Sequence, residues 1–180
     1  MKRSVSTMAF AVMFTIAVVA LGYVMLGLLP AFLFVFGFLG GLILWLLIPT
    51  KASFASIKIP YFITLSFFVL HKIEEREMDF FPRLSEITGV PVPEASFLII
   101  LLYTLAAAWL LIPYFVSREY SFGYYLAWTF FTAMGVTELA HFFLPLLTPE
   151  PYGYFPGMAS VIVLAPAAWW GMWRLRRGAV

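Results

Sequence analysis

The sequence predicts an all-α protein, a polytopic transmembrane helical bundle of about six spans with both termini cytoplasmic. Three observations carry that expectation. Hydrophobic residues make up 63% of the 180-residue chain and charged residues 11%, whereas a soluble globular protein carries about 25% charged residues. The apolar residues fall into runs near the roughly 20 residues a helix needs to cross the hydrocarbon core. Lysine and arginine collect in alternate loops between those runs. The chain reads as a single transmembrane helical domain, residues 1–180, in the cytoplasmic (inner) membrane as a multi-pass protein.

The first span runs from Met8 to Leu29 and turns at Pro30. Its charged start, Met1-Lys2-Arg3, is like that of a signal peptide, but an apolar run of about 22 residues exceeds the usual 7–15 of a signal h-region, so an uncleaved span is expected. The second span, Ala31 to Ile48, contains Gly37-Phe38-Leu39-Gly40-Gly41, a small-xxx-small face that lets helices approach closely. After a loop with Lys51 and Lys58, the third span begins near Ile59 or somewhat earlier and reaches His71, and nothing breaks its pattern until Phe81-Pro82. Gly89 to Pro93 is loop. The fourth span runs from Ala95 to Val116 and the fifth from Phe122 to Leu147, with Glu138 and His141 inside it. The sixth opens near Tyr154-Phe155-Pro156-Gly157 and ends at Trp173, with Pro166 expected to kink it.

Orientation follows from the basic residues, because short cytoplasmic loops collect lysine and arginine. With both termini inside, Lys2, Arg3, Lys51, Lys58, Arg118, Arg174, Arg176 and Arg177 are cytoplasmic, and only Lys72, Arg76 and Arg83 are outside. The six tryptophans then fall toward the cytoplasmic ends, where an interfacial aromatic belt is expected. A net charge of +2 with no basic stripe gives no nucleic-acid signal. The absence of cysteine excludes disulfides, thiolate ligands and cysteine nucleophiles, so any metal must be held by imidazole and oxygen.

Both histidines lie three residues from a glutamate, in His71-Lys72-Ile73-Glu74-Glu75 and in Glu138-Leu139-Ala140-His141. Residues three and four apart share a helical face, and imidazole with carboxylate at this spacing is how helical bundles build metal sites. The third and fifth spans run in the same direction, so both clusters lie toward the outer half beside Tyr154. The depth match is imperfect by roughly 10 Å unless the third helix starts nearer Ala52 or extends past Glu77. Glu138 is the strongest single signal, since an ionisable group inside an apolar span is costly unless paired or solvated. The bland readings are a hydrogen-bonded core histidine at His141, a solvated helix end at His71 to Glu86 with Lys72 and Arg76 snorkelling, and an interfacial anchor at Tyr154.

His71-Lys-Ile-Glu74-Glu75 after an apolar run, a polar-plus-histidine cluster on a later span, and Tyr154-Phe-Pro156-Gly157 opening the last span resemble the HXXEE-motif family of small integral membrane proteins. The resemblance covers roughly residues 59–170. It implies a polytopic membrane protein with His71, Glu74, Glu75 and His141 as signature positions, and it supplies no reaction. The chain departs from the family pattern in carrying Thr137-Glu138 where an asparagine is expected beside the later histidine.

The function expected from these residues is a metal-dependent hydrolase of the zinc type, acting from the outer side on a lipid or lipid-linked substrate. His71, Glu75, Glu138 and His141 are the candidate metal ligands, and Glu74, Glu75 and Tyr154 the candidate catalytic groups. A divalent metal is the expected cofactor, with zinc favoured and iron as the alternative. Membrane lipid is the expected partner. The competing expectations are a di-iron oxidoreductase using all five His and Glu groups, and a non-enzymatic transporter or structural subunit of a membrane complex.

Overall fold

The computed structural model describes residues 3–92, 104 and 107–177. Among them every regular element is helical and there is no strand. Helix α1 covers Val5–Leu26 and α2 covers Leu28–Leu47, with a π-helical turn at Val35–Leu39 inside it. Helix α3 is Phe54–Glu77, α4 is Phe80–Thr88, α5 is Ala107–Ser117 and α6 is Ser121–Val136. Two 3₁₀ segments follow, Thr137–Phe142 and Leu144–Leu147, before α7 at Met158–Arg177.

Helices α1, α2 and α3 are long and apolar enough to cross a membrane. Their outward residues support that use: Val5, Met13, Ile16 and Val24 of α1 are each at least 60% exposed, a surface suited to lipid and not to water. Helix α1 is apolar all round, with mean burial on one narrow side only, as a lipid-facing helix should be.

The centre of the bundle is α6, where every residue from Gly123 to Gly135 is buried. It packs against α2, α5 and α7, while α7 lies along α3. Tyr124 Oη donates to the Ala52 carbonyl and Trp128 Nε1 to Thr50 Oγ1, which sets the start of α6 beside the start of α3, so these two helices run in the same direction. Helix α7 runs against them: Arg174 Nε donates to the Ser56 carbonyl at 2.8 Å, at the end opposite Glu74.

Several boundaries differ from expectation for definable reasons. The first turn is made by Gly27, at φ +86°, and Pro30 sits in the first turn of α2, where its missing N–H is not needed. Helix α3 begins at Phe54 and continues to Glu77, which carries His71 further along its helix than a start near Ile59 would. It stops at Asp79, whose left-handed φ of +57° reverses the chain, and Pro82 then lies in the first turn of α4 without breaking anything. The expected fifth span is α-helical only to Val136. Half of the expected fourth span falls on residues outside those described, and α5 is its last part. Trp45, Trp109 and Trp128 are buried core residues, so only Trp169, Trp170 and Trp173 keep the exposure of a belt.

The small-residue face of α2 does pack as expected. A Cβ on Gly41 would lie 2.6 Å from the Thr129 Cα of α6, whereas one on Gly40 would lie 3.4 Å from a Thr132 methyl. G41A should therefore cost about 1–3 kcal/mol, and G40A should stay within about 0.5 kcal/mol of wild type. Thermal unfolding in detergent measures both, and equal melting temperatures would refute the close α2–α6 crossing.

Candidate metal centre

The 3₁₀ winding after α6 is what aligns the second cluster. At three residues per turn, side chains three apart eclipse one another, so Glu138 and His141 project to the same point from Thr137–Phe142. His71 and Glu75, four apart on α3, share a face one turn long. These four residues meet. His71 Nε2 lies 3.2 Å from Glu75 Oε1 and 3.1 Å from Glu138 Oε2, and His141 Nε2 lies 3.4 and 3.3 Å from the same two oxygens. All four donor atoms fall within 4.8 Å of one another. His71, Glu75 and His141 are buried, and Glu138 is 12% exposed.

The outer nitrogens of the rings set their protonation. The Pro156 carbonyl can only accept, so His141 Nδ1 carries the hydrogen in their 2.5 Å contact. Ser160 Oγ donates to the Gly157 carbonyl at 3.1 Å and so accepts from His71 Nδ1–H at 2.8 Å. In the neutral form both rings then present an Nε2 lone pair to two carboxylate oxygens. Four electron-rich atoms converging this closely need a cation between them or protons on the imidazoles. A tetrahedral zinc with bonds of about 2.0–2.1 Å has ligand-to-ligand edges of about 3.3–3.4 Å, which the four N···O separations approach. The group could hold a metal ion, and the Nδ1–H donors supply the outer hydrogen bonds that fix metal-bound histidines.

Glu74 has a different task from Glu75, because adjacent helical residues point about 100° apart. Its Oε1 accepts from the backbone N–H of Gly157 (3.1 Å) and Ala159 (3.0 Å), its Oε2 from that of Ser160 (2.8 Å), and Tyr154 Oη donates to Oε1 as well. A carboxylate on the first turn of a helix satisfies its orphan N–H groups and its positive dipole end. Glu74 is thereby occupied as the cap of α7, outside the four-residue group. Burial and then the Glu74 carboxylate push the Tyr154 phenol up to about 12, so at neutral pH Tyr154 is a protonated donor to Glu74.

Three contributors were not singled out from the sequence. Ser160 is the partner of His71. Gly157, at φ +98°, lies under both rings: a Cβ there would meet His141 Nδ1 at 2.4 Å and His71 Cε1 at 2.7 Å. Lys72, expected to snorkel, instead has Nζ 2.6 Å from Glu75 Oε2 and 4.0 Å from Glu138 Oε1. The Tyr-x-Pro-Gly motif was the available signal for Gly157, since a glycine before a helix can mark a backbone that something approaches closely, and no motif marked Ser160. Arg76 and Glu77 are highly exposed, as the solvated reading expects, and Glu94 lies outside the described residues.

Comparison with models of protein families, with curated proteins and with solved structures finds no match.

E74Q should cost roughly 1–3 kcal/mol by weakening charge-assisted bonds to the α7 N-terminus, read as a lower melting temperature in detergent. Y154F removes only one of the four donors to Glu74 and should cost less. Equal losses in the two variants would contradict the capping role.

Proposed function

We propose that this chain is an integral membrane metalloprotein, and that the ion serves hydrolysis of a lipid-class substrate. The observation that carries the proposal is the four-donor group, three of whose members, Glu75, Glu138 and His141, line an apolar cavity of about 100 Å³ formed between α2, α3, α4 and α6. Such an ion supplies a Lewis acid and makes a water nucleophilic near neutral pH. His71, His141 and Glu75 hold it, and Glu138 is the general base. Glu75 is locked by Lys72 at 2.6 Å. Glu138 lines the cavity and has in Oε1 an oxygen whose nearest cation is 4.0 Å away, so it is free to take a proton. On this reading the spans number about six, the site faces the non-cytoplasmic half, and the chain is a relative of the HXXEE-motif proteins.

One metal suits these residues better than two. Both Nδ1 atoms are bonded elsewhere and Glu74 is spent on α7, which leaves a di-iron centre short of donors. A second reading, a structural ion in a non-enzymatic subunit, is favoured by one feature: four protein donors in a single shell is the closed pattern of structural zinc sites.

Metal analysis after chelator-free purification should find zinc bound in wild type and lost in H71A and H141A, while S160A should weaken metal affinity by roughly 10–100-fold. Wild-type protein that is folded and metal-free would end the proposal. E138Q separates the two readings. Under the hydrolase reading it keeps the metal and abolishes release of fatty acid from ester lipids in nanodiscs; under the structural reading wild type releases none, and chelation lowers the melting temperature instead.

A further inference from the structure

The four-donor group lies behind α4. Phe80, the first residue of that helix, has its ring 5.0 Å from that of His141, and Phe80, Phe81 and Leu84 form one side of the apolar cavity. At about 100 Å³ the cavity is well below the roughly 300–1,000 Å³ of ordinary ligand pockets. A lipid-class substrate therefore does not reach His141 and Glu138 with α4 in place.

Three features mark α4 as the element that moves. Its buried residues Phe80 and Leu84 belong to a small apolar cluster with Leu144, Phe155 and Met158, which among the described residues shares with the bundle core only the half-buried Phe142. Such a satellite can open while the core around α6 stays closed. The described hydrogen bonds of α4 are local, joining Asp79 to Arg83, Ser85 to Gly89 and Ser85 to Val90, and its outward residues Arg83 and Glu86 are exposed. Its two ends are left-handed, Asp79 at φ +57° and Gly89 at φ +68°. Residues at element ends are where a moving segment takes up its backbone rotation. Just beyond, Val90 is seated against Gly27, where a Cβ would lie 2.6 Å from Val90 Cγ2, so the rotation falls at Gly89 itself.

We propose that α4 is a lid, which lifts from the bundle by rotation at Asp79 and Gly89 and uncovers the cavity and the His141 side of the four-donor group. The need for it rests on the hydrolase reading, since a lipid-class substrate is what the closed cavity excludes; the hinge itself does not. Gly89 lets the hinge be tested alone, because a Cβ there meets nothing within 4 Å and acts only through the left-handed φ. G89A penalises the closed form, by a factor of roughly 5–30 in the closed-to-open ratio.

The chain has no cysteine, so single thiols report opening in the full-length protein in nanodiscs. M134C lies on the cavity wall contributed by α6, and L126C is buried in the core about two turns away on the same helix. N-ethylmaleimide should label M134C faster than L126C by roughly tenfold or more. G89A should raise the M134C rate roughly 5–30-fold and leave the L126C rate unchanged. Labelling of M134C at the L126C rate, or a G89A effect that is absent or equal at both positions, overturns the lid. Where a thiol variant fails to fold, hydrogen exchange in the cysteine-free protein decides: G89A should speed the α4 amides by the same factor with α3 and α6 unaffected, and no selective effect on α4 overturns the lid. Fatty-acid release by wild type while M134C stays protected ends the lid and leaves the hydrolase. G89A-dependent labelling of M134C, with no fatty-acid release by wild type, ends the hydrolase and leaves the lid.

Discussion

Two carboxylates that converge on two imidazoles at the end of an apolar bundle must be compensated there, because water is largely excluded from them. Glu75 and Glu138 meet that requirement with Lys72 and with the group they form around His71 and His141. A single lysine cannot balance two buried carboxylates, and the remaining charge calls for a cation held between the four donors or for protonated rings. Breaking such an arrangement by removing one partner is far more damaging than its net contribution to stability would suggest. The helices that carry these residues are accordingly tied to one another at this end by more than apolar packing.

The segment from Tyr154 to Ser160 is the tie. It reaches Glu74 on α3 through three backbone N–H groups and the Tyr154 hydroxyl, His141 through the Pro156 carbonyl, and His71 through Ser160. Gly157 brings the backbone against both rings, and a side chain there would push them apart. One helix N-terminus thus fixes the orientation of both imidazoles while its dipole is answered by Glu74. The same helix is held at its other end by Arg174 on Ser56, so α3 and α7 are pinned at both ends.

Much of the site could be read from spacing. His71 with Glu75, and Glu138 with His141, are helical neighbours whatever the tertiary arrangement, and an ionisable residue within an apolar run announces itself by its desolvation cost. The division of labour between Glu74 and Glu75 could not be read, since a rotation of about 100° decides which of two adjacent glutamates faces the cluster and which faces α7. The expectation of a continuous fifth helix failed at Val136 because apolar composition does not distinguish α from 3₁₀ winding; Thr137–Phe142 winds as 3₁₀ where it packs against α7.

By itself the sequence determined a helical chain with several runs apolar enough for a bilayer, the close-packing glycines of α2, and the candidacy of His71, Glu138, His141 and one of the two adjacent glutamates as donors, because these depend on composition and on separations of three or four residues. Only the tertiary structure decided that the donors meet and that Glu75 is one of them, that Ser160 and Pro156 orient the rings from 89 and 15 residues away, and that an apolar cavity is lined by Glu75, Glu138 and His141. Those facts depend on the crossing of α3, α6 and α7. The crossing is set by many weak side-chain contacts across the bundle, none of which is visible in any short stretch of sequence.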